Sequence, residues 1–313
     1  RGLRSGKSLL EFPIVFFSFS YEPDYPTALK FLLEQGVEID RRLRRRRPLL
    51  VAGGIAPSAN PLPLYHSFDA VLVGEAEVIF SELDISTLTP DEVFDSLLSK
   101  PWAFVPEEKE AAQRAWLPDL SETDAYSALL EEESFFKGQF GVEIVRGCPT
   151  RCRFCLLGFF RLPPRFLKTE LLLDLLSQIP KGLVQRAALV GSAIAEHPGI
   201  LQILREAPPY LQVVPTSLNV RVLTREIVEG FARRGLKTLT VAPEAATERL
   251  RRSLNKGFGN EKLFQVIAWA SEAGYGSVKL YYMIGLPGEE DEDVAEINSQ
   301  VSEVKRLFKR RVR

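Results

Sequence analysis

Cysteine is scarce in this chain, with three among 313 residues; histidine numbers two and methionine one. A small, odd cysteine count in a long chain excludes the disulfide framework of a small secreted domain and predicts a reducing, cytoplasmic setting. No apolar run reaches the roughly 18 residues of a membrane-spanning helix, so no membrane partner is expected, and no signal peptide is visible. Charge of one sign is also missing. A formal net charge of −1 excludes a strong chain-wide attraction to nucleic acid or an anionic surface. One basic run, residues 41–47, reads as a solvated helix end or loop rather than an RNA contact, and acidic stretches at 131–133 and 289–293 balance it. The hydrophobic fraction, 45%, is enough for sizeable cores, and the length suits about two domains. The chain opens on Arg1, has Met283 as its sole methionine and ends in the basic residues 309–313. It is therefore expected to lack its natural start and carboxyl end.

Residues 14–19 are short, apolar, aromatic and β-branched, which predicts a buried strand. Residues 25–35 predict a helix with Ala28, Leu29, Leu32 and Leu33 on one face and Gly36 as its stop. Residues 49–52 and 70–73 predict two further strands, closed by Gly53-Gly54 and by Gly74. Strand and helix alternation with glycines at the strands' carboxyl ends predicts an open parallel α/β sheet. Thr89, Pro90, Asp91 and Glu92 open a predicted helix through Leu98. The stretch from Pro106 to Gly138 is polar, acidic and broken by prolines, and predicts a linker across the surface.

From residue 141 the alternation is regular. Strands are predicted at 142–146, 186–191, 211–216, 237–242 and 277–284, and helices near 169–179, 198–206, 223–234, 260–273 and 290–308. Five β/α units curl toward a barrel without closing an eight-fold one, so a partial, open barrel is expected, with a sixth strand beyond Arg313.

All three cysteines, Cys148, Cys152 and Cys155, fall within eight residues, spaced C-x3-C-x2-C, just after the first strand of this series. That is the carboxyl end of the sheet, where such folds carry their active sites. A structural zinc site takes four ligands, usually as two separated pairs, and His66 and His197 are remote in sequence. A redox pair would use Cys152 and Cys155 and leave Cys148 without a role. An iron–sulfur cluster uses thiolates at close spacing, and three would leave one iron open. Arg146, Arg151 and Arg153 surround the loop and would offset a thiolate-bound cluster. Three unrelated buried cysteines are the plain alternative.

With Phe154 as the aromatic of C-x3-C-x-aromatic-C, the chain resembles the radical S-adenosylmethionine (SAM) enzymes. It is similar to the large group whose amino-terminal domain resembles cobalamin-binding domains, through residues 17–22, Val51-Ala52-Gly53-Gly54, Asn60-Pro61 and residues 69–75. The resemblance implies an α/β fold: an incomplete Rossmann-like cobalamin-binding-type domain at 1–105, a linker at 106–140 and a partial (β/α)6-type barrel at 141–313. It implies a [4Fe–4S] cluster on Cys148, Cys152 and Cys155, and SAM bound at the open iron. Reductive cleavage of SAM would yield a 5′-deoxyadenosyl radical that acts on a substrate, with methyl transfer as the outcome if cobalamin binds. Rearrangement or sulfur insertion without cobalamin is the alternative within enzymes, and a non-catalytic iron–sulfur or zinc protein the alternative outside them. An electron donor such as flavodoxin or ferredoxin is an implied partner; nucleic acid is not.

The resemblance further implies SAM contacts at Phe154 and at the strand ends, through Ser192, Ser217, Arg221, Glu244 and Gly285. Glu244 also suits a helix first turn, Gly285 ordinary turn punctuation, and Arg221 a plain surface position. Gly53, Gly54 and Gly74 would permit close approach of a cobalamin tail, or simply make tight strand-to-helix turns. No D-x-H-x-x-G motif of a cobalt-ligating histidine occurs, and His66 does not fit one. His197 reads as a loop residue.

Overall fold

The structure is a computed structural model that describes residues 5–44, 47–127 and 137–313. The chain divides into two units, Arg1–Pro118 and Asp119–Arg313.

In the first unit, β1 (Ile14–Ser18), β2 (Leu49–Gly53), β3 (Ala70–Leu72) and β4 (Ala103–Phe104) form one sheet in chain order. The first three are parallel and β4 is antiparallel to β3. Leu49, Leu50, Val51 and Ala52 have no exposed surface, as expected of a continuous apolar strand covered on both faces. The helix Asp24–Glu34 crosses from β1 towards β2. A second helix, Pro90–Ser99, starts at a reciprocal Thr89–Glu92 cap and buries Val93, Phe94 and Leu97.

Two expectations change here. The basic run is not wholly solvated: Arg44 is buried, pairs with Asp69 at 3.0 Å and donates to the carbonyls of Glu38 and Ser67. Asp69 also accepts from the Leu50 N–H at 2.8 Å, so the pair pins the central strand. Arg45 and Arg46, and the acidic residues 131–133, lie outside the described residues. The polar stretch read as a surface linker contributes to both cores. Ala115 is buried in the first unit and Leu120 in the second, and β5 already begins at Gln139. Single apolar residues spaced among polar ones leave no periodic signal, which is why composition suggested a linker.

In the second unit, one sheet has the order β6 (Arg165–Phe166), β5 (Gln139–Arg146), β7 (Arg186–Gly191), β8 (Gln212–Pro215). A second sheet joins β9 (Thr238–Glu244), β10 (Ser277–Tyr282) and β11 (Arg311–Val312). All neighbours are parallel except β6, which runs against β5. The helices Thr169–Ser177, Ile200–Glu206, Arg225–Arg233, Asn260–Glu272 and Asp291–Leu307 alternate with these strands. One core, including Ile144, Leu189, Val213, Val241 and Val278, runs under both sheets. The result is a curled half-barrel of six parallel strands, with no strand ladder between β8 and β9 among the described residues.

The sixth strand, expected beyond Arg313, lies inside the chain. β11 is only two residues long, flanked by arginines, and therefore carried no apolar run to read. The helix Arg225–Arg233 shows how the covering layer forms. Thr224 caps it through the Ile227 N–H, and Ile227, Val228 and Phe231 turn inward at helical spacing. No helix among the described residues is long and apolar enough to cross a membrane.

Candidate functional site

The cysteine loop leaves β5 at Arg146, whose buried guanidinium pairs with Glu143 at 2.6 Å. Residues from later strand ends then hold the loop in place. Ser192, after β7, donates to the Gly147 carbonyl at 3.1 Å. Asn219, after β8, donates from its amide to the hydroxyl of buried Thr150 at 2.9 Å and to Glu196 Oε1 at 3.0 Å. Asn255, beyond β9, donates to the carbonyls of Thr150 and Arg151 at 2.9 and 3.0 Å. The Arg153 N–H donates to the Leu254 carbonyl at 3.0 Å and its guanidinium to the Ser253 carbonyl at 2.8 Å. Three separate stretches of chain therefore fix one loop, and backbone carbonyls that a loop would leave to water are paired.

Within the loop, the Cys155 N–H donates to the Cys152 carbonyl at 2.9 Å, and the short helix Leu157–Phe160 follows. All three cysteines are free thiols, Cys152 buried and the other two half-buried. Burial pushes the Cys152 thiol up, and charge on Cys148, Cys155 and Glu244 pushes it the same way, while the Lys256 ammonium pulls it down. The sequence suggested arginines as the compensating charge; the leading cation acting on Cys152 is Lys256.

No group of three or more Cys, His, Asp or Glu converges on a single metal ion among the described residues. A zinc ion would need sulfurs about 2.3 Å from it, hence about 4 Å from one another. A cuboidal iron–sulfur cluster takes each thiolate on a different iron and so holds them apart. Three mutually interacting thiols on one clamped loop are a donor set that such a cluster takes, one thiolate to each of three irons.

Lys256 and Glu244 form an ion pair at 3.0 Å, with side chains only 14% and 12% exposed. The Lys256 ammonium also lies 5.8 Å from the centre of the Phe154 ring. Non-glycine residues with positive φ are concentrated here. Arg151, Glu244 and Asn255 have φ of 52°, 67° and 60°; the fourth such residue among the described ones, Glu107, is in the other unit. Held strain of this kind, about 1–3 kcal/mol per residue, gathers at functional sites.

Of the residues singled out by sequence, the structure brings together Cys148, Cys152, Cys155, Phe154 and Glu244. Ser192 and Ser217 sit at the right strand ends but point their hydroxyls at backbone, Ser217 donating to the Gly191 carbonyl at 2.8 Å. Arg221 is exposed, and its charge acts on Glu196. Gly285 lies in an exposed turn after β10, where its N–H and that of Leu286 donate to the Glu289 carboxylate. His197 is buried: its Nε2 bonds to the Leu167 carbonyl at 2.7 Å and its Nδ1 accepts from the Gly199 N–H at 3.0 Å, so the ring is a neutral brace.

Sequence reasoning missed Thr150, Asn255 and Lys256, and at the strand ends it chose Ser192 and Arg221 over their neighbours Glu196 and Asn219. Glu196 Oε2 is buried without a hydrogen-bond partner, and burial raises its pKa against the Asn219 bond. The Asn255-Lys256-Gly257 sequence was the available signal, because Asn and Gly after a helix mark a left-handed stop.

In the first unit, a cavity of about 140 Å³ opens at the carboxyl ends of β1 to β3, lined by Phe16, Phe17, Gly53, Gly54, Gly74 and Phe80 among others. Gly54 and Gly74 have φ of 100° and 128°, and a Cβ on them would fall 2.4 Å from the Phe19 carbonyl oxygen and 2.2 Å from that of Ala115. Gly53 differs, since a Cβ there would meet only Leu72, at 3.8 Å.

The Radical SAM superfamily model matches residues 142–301. The chain belongs to the radical SAM superfamily. A second model, that of the amino-terminal region of radical SAM proteins, matches residues 1–97. The family uses a [4Fe–4S] cluster and SAM, and Cys148, Cys152 and Cys155 would be the thiols to hold such a cluster here. Among sequence relatives, the uncharacterized protein MJ0966 of Methanocaldococcus jannaschii is 30% identical over 305 residues, covering 96% of this chain and 64% of that protein. The chain thus spans just under two thirds of that relative. Two solved structures share the fold. The radical SAM methyltransferase TsrM from Kitasatospora setae, with cobalamin and a [4Fe–4S] cluster bound, superposes with a TM-score of 0.67 at 16% identity, over 93% of this chain and 62% of TsrM. The cobalamin-dependent SAM radical enzyme OxsB, in its apo form, gives 0.65 at 14% identity, over 92% of this chain and 43% of OxsB.

Proposed function

We propose that this protein reductively cleaves SAM and uses the resulting 5′-deoxyadenosyl radical to abstract hydrogen from a substrate. When bound, the cluster supplies one electron and an open iron for the amino and carboxylate groups of SAM. One electron and one substrate hydrogen then account for methionine, 5′-deoxyadenosine and a substrate radical as products. The observation that carries the reading is the cysteine loop, clamped by Ser192, Asn219 and Asn255 so that three thiols are presented at the carboxyl end of the half-barrel.

The chain's own residues then have separate tasks. Cys148, Cys152 and Cys155 hold the cluster. Glu244, kept in a left-handed backbone and steadied by Lys256, offers a carboxylate beside the loop to polar groups of SAM. Phe154, 45% exposed, covers the face of the loop as an apolar wall. An external one-electron donor of the flavodoxin or ferredoxin kind is required, and a reducing compartment suits the open thiols.

The first-unit cavity supports a cobalamin reading, with methyl transfer as the outcome. Gly53 lines the cavity without being demanded by its own backbone neighbours, so its missing side chain leaves room for a ligand. His66 is not among the residues that line this cavity, so cobalt would be held there without it.

Anaerobic reconstitution with iron and sulfide tests the central reading. A four-iron spectrum that changes on adding SAM, and 5′-deoxyadenosine under reduction, are the expected results. Tightly bound zinc without iron would reject it. Supplying cobalamin to the full-length protein tests the second part, which fails if no cobalt spectrum is retained.

A further inference from the structure

Lys256 is brought to the site by the chain just before it. The helix Glu248–Ser253 ends, Asn255 turns left-handed with φ of 60°, and its side chain locks onto the loop carbonyls of Thr150 and Arg151. The next residue, Lys256, is thereby committed inward. Its ammonium meets Glu244 at 3.0 Å and stands 5.8 Å from the Phe154 ring, inside the cysteine motif itself. The arginines of the loop are differently placed. Arg146 is paired with Glu143, and Arg151 and Arg153 are exposed, where solvent and salt screen their charge. Lys256 and Glu244 are a desolvated pair facing the cysteine motif, and charges shielded from water act over longer distances.

We infer that Lys256 and Glu244 form an opposed charge pair that sets the reduction potential of the cluster, Lys256 favouring the reduced state and Glu244 disfavouring it. The inference rests on the reading of Cys148, Cys152 and Cys155 as cluster ligands. In the intact pair the two fields largely cancel, so the potential stays within reach of a biological donor. Removing either member exposes the other. Lys256 is thus a positioning residue for Glu244 as well as a charge in its own right.

The experiment is a potentiometric titration of the reconstituted cluster, without SAM, followed by electron paramagnetic resonance. Wild type, K256Q, K256R, E244Q and the double variant K256Q/E244Q are compared. The expected pattern is a negative shift for K256Q, a positive shift for E244Q, a value near wild type for the double variant, and recovery in K256R. A merely structural role moves both single variants the same way or neither, and either result overturns the inference. If K256Q does not hold its cluster, E244Q decides alone: an unmoved or negative potential overturns the inference. Wild-type protein without iron would instead reject the cluster reading, a separate outcome read from metal content before any titration.

Discussion

At the ends of β1 to β3 in the first unit, glycines press against the protein's own backbone, Gly54 on Phe19 and Gly74 on Ala115. At the ends of β5, β7, β8 and β9 in the second unit, side chains reach across 45 to 105 residues of sequence to bond to one loop. Both units place parallel strand ends where open α/β folds bind ligands. The first does so mainly by removing side chains, the second by adding polar ones. A glycine at a strand end therefore says less about a ligand than a network of hydrogen bonds does, because close backbone packing demands the same residue.

The largest expected effect separates the two units outright. Cys152→Ala removes one of three donors, and the four-iron absorption of the reconstituted protein should be lost completely; iron retained at wild-type stoichiometry would contradict the ligand assignment. Gly74→Ala should act on the other unit alone. With φ of 128° and the Ala115 carbonyl 2.2 Å from the new Cβ, we expect a loss of about 2–3 kcal/mol in denaturant unfolding with iron content unchanged. Gly53→Ala is its control: little change in stability, and weaker cobalamin retention if the cavity is the binding site. Asn255→Ala strips two bonds from the Thr150 and Arg151 carbonyls and should cost about 1–3 kcal/mol. Asn255→Gly, which relaxes the backbone but also lacks the amide, should still incorporate iron poorly if the side-chain bonds are what matter.

The smallest effects concern pH and sit on adjacent residues. Burial lowers the pKa of His197 in the folded protein. The unfolded chain therefore binds the proton more readily, and the stability His197 gives is complete above about pH 6.5 and lost as pH falls below it. Glu196 has the opposite sign, since burial raises its folded pKa; its burial costs stability near neutral pH and less as pH falls towards its unfolded value. His197→Gln should flatten the decline in melting temperature between pH 7 and 5. Glu196→Gln should raise neutral-pH stability by less than about 1 kcal/mol while leaving the Asn219 bond intact, because a glutamine oxygen still accepts it. A large loss of stability in Glu196→Gln would show that its charge, not its shape, braces the loop.

Much of this molecule could be read before folding. Strands such as Arg186–Gly191 and helices such as Asn260–Glu272 announce themselves by period and by their stops. The cysteines do so by spacing. The two-residue strands β4, β6 and β11 could not be read, because a period needs more residues than they have. Glu244 was accessible as a polar residue at a strand end, but its partner Lys256 was not. The left-handed turn at Asn255 has a local signal in Asn255-Lys256-Gly257, but the pairing also depends on bonds to a loop over 100 residues earlier, which leave no local pattern. Arg44 was misread for a related reason: its buried partner Asp69 lies 25 residues away, while its neighbours in sequence suggested a solvated run.

The absent ladder between β8 and β9 has a mechanical consequence. The cysteines belong to one side of that seam and Glu244 to the other, so they are joined across it by the shared core and by the Asn255 and Arg153 bonds rather than by strand pairing. A parting at the seam would breach no sheet. Amide protons facing it should exchange with solvent through shallow local openings, while those inside the two ladders wait for deeper unfolding. Filling the site from both sides would close that gap in the exchange profile, making deuterium uptake along β8 and β9 a gauge of cofactor loading that needs no knowledge of the substrate.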